Sequence, residues 1–126
     1  MDPIYELQAE TLKTLANPRR LEIVHQLAAG PCTVGRLAAQ LGLAQPNVSQ
    51  HLALMRAAGV VEAERDGREM RYRLADADII TACGLMRQAL QRRLSRFADL
   101  SAKAGSPPTR SARNGPDPLA GALLRH

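Results

Sequence analysis

Apolar side chains recur at helical spacing along the first sixty residues, and then the period changes. Asp2-Pro3 reads as an N-cap followed by proline at the first helical position, opening a helix to about Leu15. Asn17-Pro18 repeats that signal, and Leu21, Val24, Leu27 and Ala28 then share one face until Gly30. Thr33 caps a short third helix holding Val34, Leu37, Ala38 and Leu41, closed by Gly42; a fourth begins near Gln45 and ends at Gly59. In VVEAERDGREMRYRL, Val61 and Ala63 alternate with Glu62 and Glu64, and Met70, Tyr72 and Leu74 alternate with Arg71 and Arg73. Asp66-Gly67 lies between these runs, which predicts a β-hairpin. Asp76 or Asp78 caps a last long helix, whose apolar positions Ile79, Cys83, Met86, Leu90, Leu94 and Phe97 follow at steps of three and four.

The predicted architecture is mainly α with a β-hairpin: four helices, two strands and one long helix. A short helix, a tight turn and a second helix with a polar face make a helix-turn-helix, and the hairpin behind it makes a wing. The fold class is therefore a winged helix-turn-helix. From Ser101 the composition turns to Pro, Gly, Ser and Arg, so residues 1–100 form the domain and residues 101–126 a disordered basic tail. Aromatic content is 2%, so the core relies on aliphatic side chains. The Ile79–Phe97 stripe is longer than so small a core needs and suits a dimer partner.

Charge sharpens the picture. The chain has 126 residues and a formal net charge of +5, and much of that charge sits in the tail. The more informative feature is that no carboxylate occurs between Glu22 and Glu62, as a surface facing phosphates requires. The fourth helix lies inside this window. At 100° per residue, Val48, Leu52 and Met55 fall on one side, and Pro46, Ser49, Gln50 and Ala53 on the other. Gln45 and Asn47 occupy the first turn, which in helix-turn-helix proteins points at base edges. Gln and Asn pair with adenine in bidentate fashion, Ser adapts as donor or acceptor, and Ala allows close approach. A polar helix face is also what any surface helix carries; the window and the wing favour the DNA reading. His51 lies beside the packing side, where it makes a hydrogen bond that positions the helix or, alternatively, meets a phosphate. Arg65 and Arg68 flank the wing tip and suit DNA backbone contact, whereas Arg71 and Arg73 fit a solvated strand face equally well.

The segments LKTLANPRRLEIVHQL, TVGRLAAQLGLAQPNVSQHLALMRAAGVV and RDGREMRYRL together resemble the ArsR/SmtB family of winged-helix repressors, over about Leu12 to Leu74. The resemblance implies a homodimer joined through the first and last helices, bound to a pseudo-palindromic operator and released by an inducer. The expected DNA-contacting set is Gln45, Pro46, Asn47, Ser49, Gln50, His51, Ala53, Arg65 and Arg68. The expected dimer interface is Ile79, Cys83, Met86, Leu90, Leu94 and Phe97. One departure stands out: family members commonly have Ser or Thr where this chain has Ala44, which cannot cap.

The family's metal ligand sets are missing here. The cysteine-x-cysteine positions fall on Thr33 and Gly35, residues 77–125 contain no histidine, and His25, His51 and His126 have no ligand spacing. No metal or other cofactor is expected. Two cysteines leave a thiol switch as an inducer mechanism. Cys32 follows Pro31 near a helix start, which favours a thiolate, while Cys83 sits in the apolar stripe. A small ligand of another kind is the competing inducer. An enzyme built on Cys32 with His25 or His51 lacks an orienting third group. A winged helix that docks protein rather than DNA is the other alternative, separable by salt dependence. The sequence has neither a signal-peptide pattern nor a membrane-length apolar run, so cytoplasmic location is expected.

Overall fold

A computed structural model describes residues 1–103, and the expected tail from residue 104 onward lies outside the described residues. The elements are α1 (Pro3–Leu15), α2 (Pro18–Leu27), β1 (Cys32–Thr33), α3 (Val34–Leu41), α4 (Gln45–Ala57), β2 (Val61–Asp66), β3 (Glu69–Leu74) and α5 (Ala77–Lys103). The last helix thus runs three residues past Leu100, where the composition changes. The chain divides into two compact units, Met1–Ile80 and Thr81 onward.

Local chemistry accounts for the helix starts. Asp2 Oδ1 accepts from the Ile4 N–H at 2.9 Å, and Asn17 Oδ1 from those of Arg19 and Arg20 at 2.9 and 3.2 Å. Thr33 Oγ1 accepts from the Arg36 N–H at 3.3 Å, and Asp76 Oδ1 from the Asp78 N–H at 2.8 Å. These side chains occupy donors that the first helical turn leaves orphaned. Gly42 ends α3 at φ +67°, and the Leu43 N–H reaches back to the Ala38 carbonyl at 3.0 Å. Only a residue without Cβ adopts that conformation at no cost, and it turns the chain into α4 within three residues.

The first unit closes around Ile23, Val24, Leu27, Leu37, Val48, Leu52, Met55, Val60 and Val61, all buried. The α2 stripe differs from the sequence expectation. Ile23 replaces Leu21 as the packing residue, and Leu21 and Ala28 are exposed. Three neighbours on the helix (Ile23, Val24 and Leu27) face inward, because α2 packs against both α3 and α4. The sheet also differs: it has three strands in the order β1-β3-β2, not two. Cys32 pairs with Tyr72 and Thr33 with Arg71, so the segment leading into α3 is stitched to the wing. The hairpin register pairs Val61 with Leu74 and Asp66 with Glu69. The two-residue loop is therefore Gly67-Arg68, one residue beyond the expected turn, with Gly67 at φ +65°.

Within the second unit, α5 carries its apolar stripe largely uncovered. Met86 is 57% and Phe97 68% exposed, and Leu85 and Leu100 are exposed as well. Cys83, Leu90 and Leu94 are half-buried, as is Ile79, which belongs to the first unit. Among the described residues, no helix is long and apolar enough to cross a membrane.

Candidate nucleic-acid interface

The site is built on α4. Val48, Leu52 and Met55 are each 0% exposed, which pins one side of the helix to the core. The opposite side, holding Pro46, Ser49, Gln50 and Ala53, is left in solvent, and Gln45 and Asn47 in the first turn are exposed as well. Burial of three aliphatic side chains of this size contributes about 1.5–3 kcal/mol each, so the rotation of the helix about its axis is firmly set. Its start is less well held. Ala44 has the extended backbone of a cap residue, φ −69° and ψ 138°, but offers no side-chain hydrogen bond.

His51 is half-buried beside the packing side, unlike the exposed Gln50 before it. Its Nδ1 accepts from Arg20 Nε at 3.2 Å, and Arg20 Nη1 also donates to the Thr14 carbonyl at 3.0 Å. Burial, then the charges of Arg20 and Arg19, push the imidazole pKa below its ordinary value. Arg20 is a functional candidate that the sequence reading missed; NPRRL gives the residue but not the contact.

The wing arginines divide into two pairs. Arg73 bridges Glu62 at 3.0 Å and Glu64 at 3.3 Å, while Arg71 Nε donates to Asp66 at 3.1 Å. The Asp66 hydrogen bond, with its charge, raises the Arg71 pKa further above normal. Arg65 and Arg68 are exposed and have no ion pair among the described residues. Arg36 on α3 and Arg56 near the end of α4 are likewise exposed and without an ion pair among the described residues. Neither was picked out from the sequence, although both lie in the acid-free window. That window is not wholly acid-free in space. The Glu69 carboxylate lies against Gly35, where a Cβ would stand 3.0 Å from Glu69 Oε1 and 3.8 Å from Gln45 Oε1.

Cys32 does lie near a helix start, directly before the α3 cap residue Thr33, but it is buried in β1 at 7% exposure, which shields the thiol that the switch alternative needs. Cys83 is half-buried, and burial pushes its thiol pKa up, against the thiolate. Among the described residues no three His, Cys, Asp or Glu side chains converge as metal ligands do.

These features define a winged helix-turn-helix, and comparison with known proteins gives its family. The family model described as "Bacterial regulatory protein, arsR family" matches residues 17–63. The chain is 43% identical over 95 residues to Rv0081, an uncharacterised HTH-type transcriptional regulator of Mycobacterium tuberculosis, covering 75% of this chain and 83% of that one. The crystal structure of Rv0081 superposes with a TM-score of 0.67, covering 77% of this chain and 98% of the other at 42% identity. A solution structure from Mycobacterium bovis, described as a homodimeric winged helix-turn-helix DNA-binding domain, gives a TM-score of 0.69 at 30% identity, covering 76% and 92%. The HTH-type transcriptional repressor SmtB of M. tuberculosis is 49% identical over 73 residues, 58% of this chain and 54% of that protein. The protein belongs to the ArsR family of bacterial transcriptional regulators.

Proposed function

We propose that the protein is a cytoplasmic homodimeric repressor that reads a pseudo-palindromic DNA operator and is released by an inducer. The observation that carries this reading is the face of α4. Gln45, Asn47, Ser49 and Gln50 stand in solvent on a helix pinned by three fully buried residues, so the helix is fixed in orientation while these side chains are free to bond. Those four read base edges in the major groove, with Pro46 and Ala53 allowing close approach. Arg65 and Arg68 hold the wing on the DNA backbone, and Arg36 and Arg56 add phosphate contacts beside α4. His51 serves as the support of α4 through Arg20 rather than as a phosphate contact.

The dimer pairs the exposed Met86 and Phe97 and the half-buried Ile79, Cys83, Leu90 and Leu94 against a second copy, together with the exposed apolar residues of α1. Two-fold symmetry then sets the two α4 helices one DNA turn apart, ~34 Å. Residues 1–100 form the DNA-binding and dimerising domain. The function is binding, not catalysis: the His51 ring is engaged by Arg20, not by a cysteine. With Cys32 buried, a ligand other than an oxidant is the better-supported inducer.

Fluorescence anisotropy on the duplex upstream of the protein's own gene tests this, with a random duplex as control and a series of salt concentrations. The expected result is sequence preference together with affinity that falls steeply as salt rises. Binding without preference and with a shallow salt slope would replace DNA reading with protein docking.

A further inference from the structure

The polar tie between α2 and α4 has an unusual composition. Arg19 meets a carboxylate, that of Glu22, at 2.8 Å. Arg20, one residue on, has no ion pair among the described residues, and its guanidinium donates to two neutral acceptors. Nε donates to His51 Nδ1 at 3.2 Å, across 31 residues of chain, and Nη1 to the Thr14 carbonyl at 3.0 Å. The Arg20 backbone N–H is itself held by Asn17 Oδ1 at 3.2 Å. One planar, rigid fork thus joins the end of α1, the start of α2 and the middle of α4. The fork requires an unprotonated Nδ1, which leaves the ring proton on Nε2. A protonated imidazole would set N–H against N–H and cation against cation.

We propose that Arg20 is a positioning residue for DNA reading: through the neutral His51 it fixes the helix whose Gln50 lies one residue away. The assignment rests on α4 being the DNA-reading helix. It adds to that reading a requirement on ionisation state. Of the elements packed against α4, α2 brings charge to bear on the ring, as Arg20 and Arg19, and both oppose protonation. Among the described residues, α1, α3 and β2 bring none. The folded pKa lies below that of the unfolded chain, so the neutral clamp is complete above about pH 6.5. It is lost as pH falls through the lowered value.

Two measurements on the full chain test this. The first uses no DNA: nitrogen-15 NMR of His51 is expected to show the Nε2-protonated tautomer, titrating below its ordinary value and shifting upward in Arg20→Met. A ring protonated at Nδ1, or one indifferent to Arg20→Met, overturns the clamp. The second is the ratio of affinities for the upstream and random duplexes between about pH 7.5 and about pH 5. The wild-type ratio is expected to fall about tenfold on acidification, the order that loss of one hydrogen bond allows. Arg20→Met is expected to show the reduced ratio already at neutral pH while melting cooperatively. His51→Asn, which keeps an acceptor but does not titrate, is expected to retain the ratio at both ends. A folded Arg20→Met with an unchanged ratio, or a His51→Asn with wild-type pH dependence, overturns the positioning role. A wild type without preference at neutral pH overturns the DNA reading and this role with it, whatever the NMR gives.

Discussion

Gln50 and His51 are neighbours on α4 with opposite surroundings. One helical step of 100° separates a side chain in solvent from a ring held by Arg20. For Gln50 the proposed role is base reading, and its exposure leaves it without a packing role. Gln50→Ala is expected to weaken binding to the operator by ~1–3 kcal/mol while leaving random DNA nearly untouched. Anisotropy on the two duplexes checks this, and equal losses on both would remove Gln50 from the base-reading set. The polar face of α4 was legible in the sequence, because a 3.6-residue period assigns sides without any knowledge of neighbours. The partner of His51 was not, since a contact between positions 20 and 51 leaves no periodic trace. Glu69 shows the same limit from the other side. The stretch from Glu22 to Glu62 contains no acid, yet strand pairing carries a carboxylate from further along the chain to Gly35, beside Gln45.

At the scale of elements, the wing and the start of α4 each invite a substitution. Arg73 is shared between Glu62 and Glu64, whereas Arg68 in the turn has no ion pair among the described residues. Arg68→Ala is expected to weaken binding to both specific and random DNA and to lower the salt slope by about one. Arg73→Ala should leave the slope nearly unchanged, since that charge is already partnered within the wing. A titration of affinity against salt for the two variants separates them; identical slopes would remove the distinction. At Ala44 the backbone already has cap geometry but no acceptor. Ala44→Ser should therefore stabilise the protein by ~0.5–2 kcal/mol, read as a raised urea midpoint at unchanged m-value. A midpoint at or below the wild-type value would mean the first turn is satisfied by other means. Most of these elements could be read from the sequence because caps and turns are local: Asp2, Asn17, Thr33 and Gly42 act within a few residues. The strand β1 could not, because two residues carry no alternation, and their pairing with Tyr72 and Arg71 is a long-range event. The split between Arg65 and Arg71 depends equally on register, which sets Arg71 across from Glu64 but Arg65 across from Met70.

For the whole molecule, the distribution of apolar surface is the deciding quantity. The first unit encloses a core of Ile23, Leu37, Val48, Leu52 and Met55, while α5 leaves Met86 and Phe97 more than half exposed, with Leu85 and Leu100. Twenty-seven residues of helix extend roughly 40 Å, longer than a domain of this size needs for its own core. The α1 residues Ile4, Tyr5, Leu7 and Leu12 are exposed in the same way. Exposed apolar surface of this kind in a chain with few aromatics is stabilised most simply by burial against a second copy. In the proposed dimer two weak half-site contacts become one bivalent event, which would couple the stripe to the α4 face. Phe97→Asp places a charge in that surface without touching α4 or the wing. Sedimentation equilibrium should then report the mass of one chain in place of two, and operator affinity should fall by at least about tenfold while the melt of the first unit persists. A variant that keeps the mass of two chains would exclude Phe97 from the dimer contact. If instead the mass halves and operator affinity survives, a single winged helix is sufficient for binding, and the pseudo-palindromic operator must be given up.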